Sequence, residues 1–263
     1  MKLYIACDME GTAGNVTWDE VNQEKSEYAQ FREIMTKEVI GICEIAKTKF
    51  DDICIKDGHW TETNILLENL PDYCNIIRGD DGRNLTGLDS SFDALILEGY
   101  HAAGGEITYP LSHTISDDIV FEIRLNGKRI GEKTLALLNA AKYNIPIIFI
   151  SGDEKAVEEA LSCLPDLVGV ITKKLSNTSY ICKSPQKVNG EIKKALTQAL
   201  SNFEEIKEKL IYRPSKFDLE IEYAKYFYAK KAANYPNSIL EGKTVKFKAK
   251  DLDEFLHIIN LCI

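Results

Sequence analysis

Four histidines occur in 263 residues, and three of them, His59, His101 and His113, fall within a span of 55. The apolar run 2–7 ends at Asp8, with Glu10 two residues on. The run 52–56 ends at Asp57, with His59 two residues on, and the run 94–98 leads into Gly99-Tyr100-His101. His113 stands in the polar segment Ser112-His113-Thr114, and Gly131-Glu132 opens a helical stretch. Imidazole and carboxylate together suit Zn²⁺, Mn²⁺ or Co²⁺, whereas an all-oxygen set suits Mg²⁺ or Ca²⁺. Two histidines and three carboxylates are enough for two metals that share a bridging carboxylate. Ions ~3.5–4 Å apart can hold a water and polarise a carbonyl or phosphoryl oxygen, and zinc can bring a water's pKa from about 15.7 to ~7. These residue types point to a hydrolase. His257, in the apolar stretch 255–259, reads as structural.

Other chemistries lack their residues. No G-x-S-x-G occurs, so a serine elbow is unsupported. A P-loop is absent, and Asp8-Met9-Glu10-Gly11-Thr12-Ala13-Gly14 lacks the spacing of a dinucleotide site.

The candidate residues need a scaffold that brings strand ends together. Apolar runs at 2–7, 52–56, 94–98, 146–150 and 167–172 read as strands. Helical spacing covers 28–48, 62–70, 132–143, 153–164 with Asp153 as its cap, and 184–210, with a possible break at Gly190. Asn126-Gly127 joins 120–125 to 128–130 as a hairpin. After Pro214 the pattern becomes strand 217–221, helix 222–233, strand 244–249 and helix 251–261. Short buried strands alternating with helices predict an α/β fold, a mostly parallel sheet flanked by helices, with a smaller C-terminal α+β domain. The expected division is 1–212 for the metal-binding catalytic domain and 213–263 for the small domain or cap. Ligands of open α/β sheets bind beyond the carboxyl ends of the strands, where Asp8, Glu10, Asp57, His59 and His101 all fall.

The chain carries 32 Lys+Arg against 41 Asp+Glu, a formal charge of −9. That acidity argues against a nucleic-acid partner and against an anionic membrane surface. No apolar stretch approaches the ~20 residues needed to span a bilayer, and the first apolar stretch is too short for a secretory signal. The seven cysteines are scattered without a C-x-x-C pair, as expected of reduced thiols in a cytoplasmic protein.

At these residues the sequence resembles the D-aminopeptidase DppA family, peptidase family M55. The matching pieces are K-L-Y-I-A-C-D-M-E-G at the start, D-G-H at 57–59, G-Y-H-A at 99–102, L-S-H-T at 111–114, G-E at 131–132 and P-I-I-F-I-S-G-D at 146–153, with Lys243 to Phe247 in the tail. The chain departs from the family pattern at Lys133-Thr134-Leu135, where a small or glycine-containing stretch is usual, and near Asn177-Thr178-Ser179, where a basic residue is usual. The resemblance implies that Asp8, Glu10, His59, His101 and Glu132 hold two Zn²⁺ ions per subunit, with Asp8 bridging. It also implies that His113 is the catalytic residue and that N-terminal D-amino acids are removed from short peptides. Its further implication is a homo-oligomer, a decamer of two stacked pentameric rings. His113 could act as a base on a water or as an acid towards the oxyanion or leaving amine, and the second role is favoured. Glu106 or Asp81 could receive the substrate's α-ammonium. The alternatives are a metal phosphoesterase, for which Lys56, Arg78 and Arg83 are the nearest cations, and a metal-free binding or assembly protein that kept the fold.

Overall fold

The computed structural model describes residues 1–79 and 85–263. Its larger sheet contains β1 (Lys2–Cys7), β2 (Asp52–Asp57), β3 (Cys74–Ile77), β4 (Ala94–Tyr100), β7 (Ile147–Asp153), β8 (Val168–Ser176) and β9 (Ser179–Cys182). Between β4 and β7 the chain forms the hairpin β5 (Val120–Leu125) and β6 (Lys128–Ile130). The strand order in the larger sheet is β3-β2-β1-β4-β7-β8-β9, parallel except for β9. β1, β4 and β7 are covered on both faces, which explains why they read as unbroken apolar runs. The order proceeds outward from β1 in both directions, so the crevice between β1 and β4 is the topological switch point. Cys7 pairs with Asp57 on one side and with Glu98 on the other, so these three strands end almost level.

The helices are α1 (Trp18–Val21), α2 (Tyr28–Ala46), α3 (Glu132–Lys142), α4 (Glu154–Cys163), α5 (Pro185–Ile206), α6 (Tyr226–Ala232) and α7 (Leu252–Cys262). The expected cap forms, with the Asp153 carboxylate accepting from the Ala156 amide, and the Asp251 carboxylate likewise accepts from that of Glu254. α2 packs on α5, and α3 on α4, around a core that includes Tyr4, Ile5, Met35, Ile42, Ile96 and Phe149.

The second sheet is antiparallel, with β10 (Phe217–Tyr223), β11 (Ile239–Glu241) and β12 (Thr244–Ala249) in the order β11-β12-β10-β5-β6. It is built from two distant stretches of chain. The hairpin β5–β6, turned by Asn126 at φ 53° and Gly127 at φ 78°, lies along β10. Val120, Ile123 and Leu125 share a core with Leu219, Ile221, Val245 and Phe255. α3 joins the two cores, giving Ala136, Leu137 and Ala140 to the first and Leu135 and Leu138 to the second.

Several local features differ from expectation. The helix expected over 62–70 is reduced to a tight turn at Leu67–Asn69. The amides of Asn64 and Ile65 and the Asn64 side chain all donate to the Asp57 carboxylate, and Glu62 sits at φ 55°; both pull this segment out of a helix. α5 runs unbroken through Gly190, where no side chain lies close, and gives way to a tight turn over Lys207–Leu210. The strand expected at 217–221 continues to Tyr223, which shortens the following helix to α6. The short elements β3, β9, β11 and α1 carry too little periodicity to be read from sequence.

Candidate metal centre

Six side chains converge beyond the ends of β1, β2 and β4 and at the start of α3. Asp8 and Glu10 follow β1, His59 follows β2, His101 follows β4, and Glu132 is the first residue of α3. His113 is brought in because its segment runs beside the one after β4, with a bridge from Ala103 to His113. Two groups of possible metal ligands result, Asp8–Glu10–His59 and His101–His113–Glu132, each with ligand atoms within 4.8 Å of one another. Asp8 lies between them: Oδ1 is 3.5 Å from His59 Nδ1 and Oδ2 is 3.2 Å from His101 Nε2. His59 Nδ1 is 2.9 Å from Glu10 Oε2, and His101 Nε2 is 3.5 Å from Glu132 Oε1. His113 Nε2 stands 3.7 Å from Glu132 Oε1 and 3.9 Å from Glu10 Oε1.

Backbone carbonyls fix the orientation of all three imidazoles. His59 Nε2 donates to the Val21 carbonyl, His101 Nδ1 to that of Ala102, and His113 Nδ1 to that of Leu111. The ring nitrogen left over in each case faces the carboxylates, which is how histidine ligands are held in metal sites. The His101 and His113 rings stack 4.1 Å apart, and Trp18 lies edge-on to His113. Asp8 Oδ2, Glu10 Oε2 and His101 Nε2 are buried without a hydrogen-bond partner. Buried polar atoms normally have one. These unpartnered N and O atoms, facing one another in a carboxylate-rich pocket, fit divalent ions of the zinc type.

The electrostatics agree. Burial opposes charge on Asp8, yet the neighbouring His101 and His59 imidazoles hold its carboxyl well below the usual range. Burial likewise opposes charge on Glu132, and His101 brings its carboxyl below the ordinary value. Against the same burial, Glu10 and Asp8 raise His59 well above its ordinary value, and Asp8 and Glu132 do so for His101. The pocket therefore favours positive charge at its centre.

Two glycines permit the strand ends to meet. The Gly11 amide donates to the Gly99 carbonyl at 2.7 Å, and a Cβ on Gly11 would lie 1.9 Å from the Tyr100 carbonyl oxygen. Gly99 has φ 74°, and a Cβ there would lie 2.0 Å from the Asp8 carbonyl oxygen. Beneath this crossing the segment 8–15 is pinned by buried groups. The Glu38 carboxylate accepts from the Ala13 amide, and Lys173 Nζ donates to the carbonyls of Glu10 and Asn15 and to the Asn15 side chain. Lys133 Nζ donates to the His101 carbonyl and pairs with Glu159 at 2.7 Å. Ile115 is strained at φ 65°, rare for a β-branched residue, and its amide donates to Glu132 Oε1 at 2.7 Å.

Lys173 and Lys133 were not singled out for the site from sequence. For Lys133 the signal is a lysine in the first turn of a buried helix; Lys173, beside Lys174 at the polar end of β8, carries none. Asp57 reaches the expected edge, but its carboxylate is taken by Asn64 and Ile65, outside the cluster. His257 lies on the outer face of α7 beside Tyr235. Glu106 is bound to Thr108 and Arg129. Arg78 is exposed, Lys56 is buried against Glu62, and Asp81 and Arg83 lie outside the described residues. Cavities of about 370 Å³ and about 320 Å³ open on the cluster. A larger one of about 610 Å³ lies between α6 and α7, and none of the six residues lines it.

The sequence profile of the M55 family, described as D-aminopeptidase, matches residues 1–261. A D-aminopeptidase of Bacillus subtilis (strain 168) is 29% identical over 263 residues, covering 97% of this chain and 93% of its own. The solved structure of Zn-dependent D-aminopeptidase DppA from Bacillus subtilis, a self-compartmentalizing protease, superposes with a TM-score of 0.88 at 29% identity. That likeness covers 100% of this chain and 96% of the other. With the same fold and a family profile matched from end to end, the chain belongs to the M55 family of D-aminopeptidases.

Proposed function

We propose that this M55 enzyme removes N-terminal D-amino acids from short peptides, using two zinc ions held by Asp8, Glu10, His59, His101 and Glu132, with Asp8 between them. The observation that carries the reading is the pair of ligand groups meeting at one buried carboxylate. Bound zinc supplies Lewis acidity, polarising the scissile carbonyl and acidifying a water. The rest of the work falls to side chains of this chain. His113 is the catalytic residue: its Nδ1 proton is engaged by the Leu111 carbonyl, so Nε2 is the atom that exchanges a proton with substrate. As imidazolium it donates to the developing oxyanion or the leaving amine. The Ile115 amide holds Glu132, and stacking on His101 keeps the His113 ring in register with the cluster.

Residues 1–212 form the catalytic unit in this reading. Residues 213–263 form the small unit, whose sheet the hairpin at 120–130 completes. A decamer of two pentameric rings is supported by the exposed apolar Tyr226, Phe227, Ile239 and Leu261 of the small unit, and by the self-compartmentalizing relative. A cytoplasmic location is supported by seven free thiols. Among the described residues no helix is long and apolar enough to cross a membrane.

The test compares D-Ala and L-Ala p-nitroanilides with p-nitrophenyl phosphate, with zinc added, alongside metal analysis and a size measurement. Cleavage of the D-anilide, lost on chelation and restored by zinc, is expected. Full activity after exhaustive chelation refutes the reading.

A further inference from the structure

The cleft has two lobes that meet at Asp8, Trp60, Ile115 and Glu132, and they differ in charge. One is acidic, lined by Glu10, Asp117 and Asp118 beside Trp18 and His113. The other has apolar walls from Leu85, Tyr100, Ile119 and Ile259, with Lys56 and Glu62 among them. Among the described residues lining either lobe, Lys56 is the only lysine or arginine. Its side chain is 3% exposed and pairs with Glu62. An ammonium has three donors, so one carboxylate leaves it capacity for a second acceptor, and a buried lysine at a cavity wall is costly without such a role. Trp60 at φ 45°, Glu62 at φ 55° and Ile115 at φ 65° all line this lobe. Backbone strain of that kind gathers at binding sites.

The strand register gives the reach. Lys56 pairs with Ala6 on β1, two residues before Asp8. With a rise of about 3.3 Å per residue and strands about 4.8 Å apart, its Cα lies about 8 Å from that of Asp8. One residue beyond a scissile carbonyl extends roughly 3.5 Å, which leaves its carboxylate within the span of a lysine side chain. A carboxylate is repelled by the acidic lobe, and an α-ammonium is attracted there.

We propose that Lys56 binds the free α-carboxylate of the residue leaving from the scissile bond, so that the enzyme reads dipeptides at both charged ends. This rests on the aminopeptidase reading above. The ammonium lies in the acidic lobe and the carboxylate at Lys56, and each added residue carries the carboxylate past it.

The experiment measures kcat/KM for D-Ala-Gly and for its C-terminal amide on zinc-loaded enzyme. Wild type is expected to favour the free acid by about 10- to 100-fold, the scale of one hydrogen bond to a charged group. Lys56→Met combined with Glu62→Gln, which removes both charges of the pair, is expected to bring the ratio to within about threefold. Lys56→Arg keeps the charge and keeps the preference. The ratio is formed within one preparation, so partial misfolding cancels. Equal cleavage of acid and amide by wild type overturns the proposal whether or not the variants fold, as does a preference that survives the double substitution. D-Ala p-nitroanilide, which has no carboxylate, separates the two readings. If it is cleaved while acid and amide are equal, only the Lys56 assignment fails; if none of the three is cleaved, the aminopeptidase reading fails.

Discussion

Substituting Gly11 by alanine tests whether the close crossing of the segments after β1 and β4 holds the cluster of candidate metal ligands together. The new Cβ would lie 1.9 Å from the Tyr100 carbonyl oxygen and 2.5 Å from that of Gly99, all of it backbone. Ordinary contact begins near 3.4 Å, so one segment must give by roughly 1.5 Å. Such a shift costs about 1–3 kcal/mol of overpacking. It also breaks the bond from the Gly11 amide to the Gly99 carbonyl and leaves both groups buried, worth about 1–3 kcal/mol more. A loss of about 2–6 kcal/mol follows, or about 4–24 °C in melting temperature for a protein of this size. Urea and thermal unfolding should be measured on chelated wild type and variant, so that zinc loss does not contribute. Gly190→Ala is the control: in mid-helix with no atom near its future Cβ, it should gain about 0.5–1 kcal/mol. A Gly11→Ala loss below about 1 kcal/mol, with zinc content intact, would refute the crossing as a structural constraint.

Other substitutions separate holding the metal from using it. Asp8→Ala and His101→Ala should abolish both zinc content and activity, checked by elemental analysis beside the anilide assay. His113→Ala should keep the zinc and lose about 10²- to 10⁴-fold in turnover; loss of zinc in that variant would place His113 among the ligands. Lys173→Met removes a buried ammonium and leaves the Glu10 and Asn15 carbonyls without their donor. It should cost about 3–5 kcal/mol in urea unfolding and weaken zinc binding, measured by competition with a chromogenic chelator.

Much of the cluster's geometry was legible because the strands that position it are buried on both faces. Their apolar runs stand out, and the residue just past each run is the one that emerges at the edge; Asp8, His59 and His101 were found that way. Asp57 shows the limit of the rule. It ends a strand as Asp8 nearly does, but Asn64 and Ile65 claim its carboxylate, and no periodicity announces a side chain–backbone bond. The same bonds undid the expected helix over 62–70. Lys173 and Lys133 escaped because lysine reads as surface unless its acceptors are known, and those come from segments distant in sequence. The neighbour of the hairpin β5–β6 was out of reach for a similar reason, since β10 begins 92 residues after β5 ends.

That long separation has a consequence for the chain while it is being made. At about 5–20 residues per second, β5 waits on the order of 5–20 s for the strand that will cover its edge. Ile259, a wall of the cleft, is synthesised later still. A nascent chain therefore carries its six cluster residues long before it has a finished substrate lobe. The lobe that Ile259 lines is therefore walled only after α7 has been made and has packed in place.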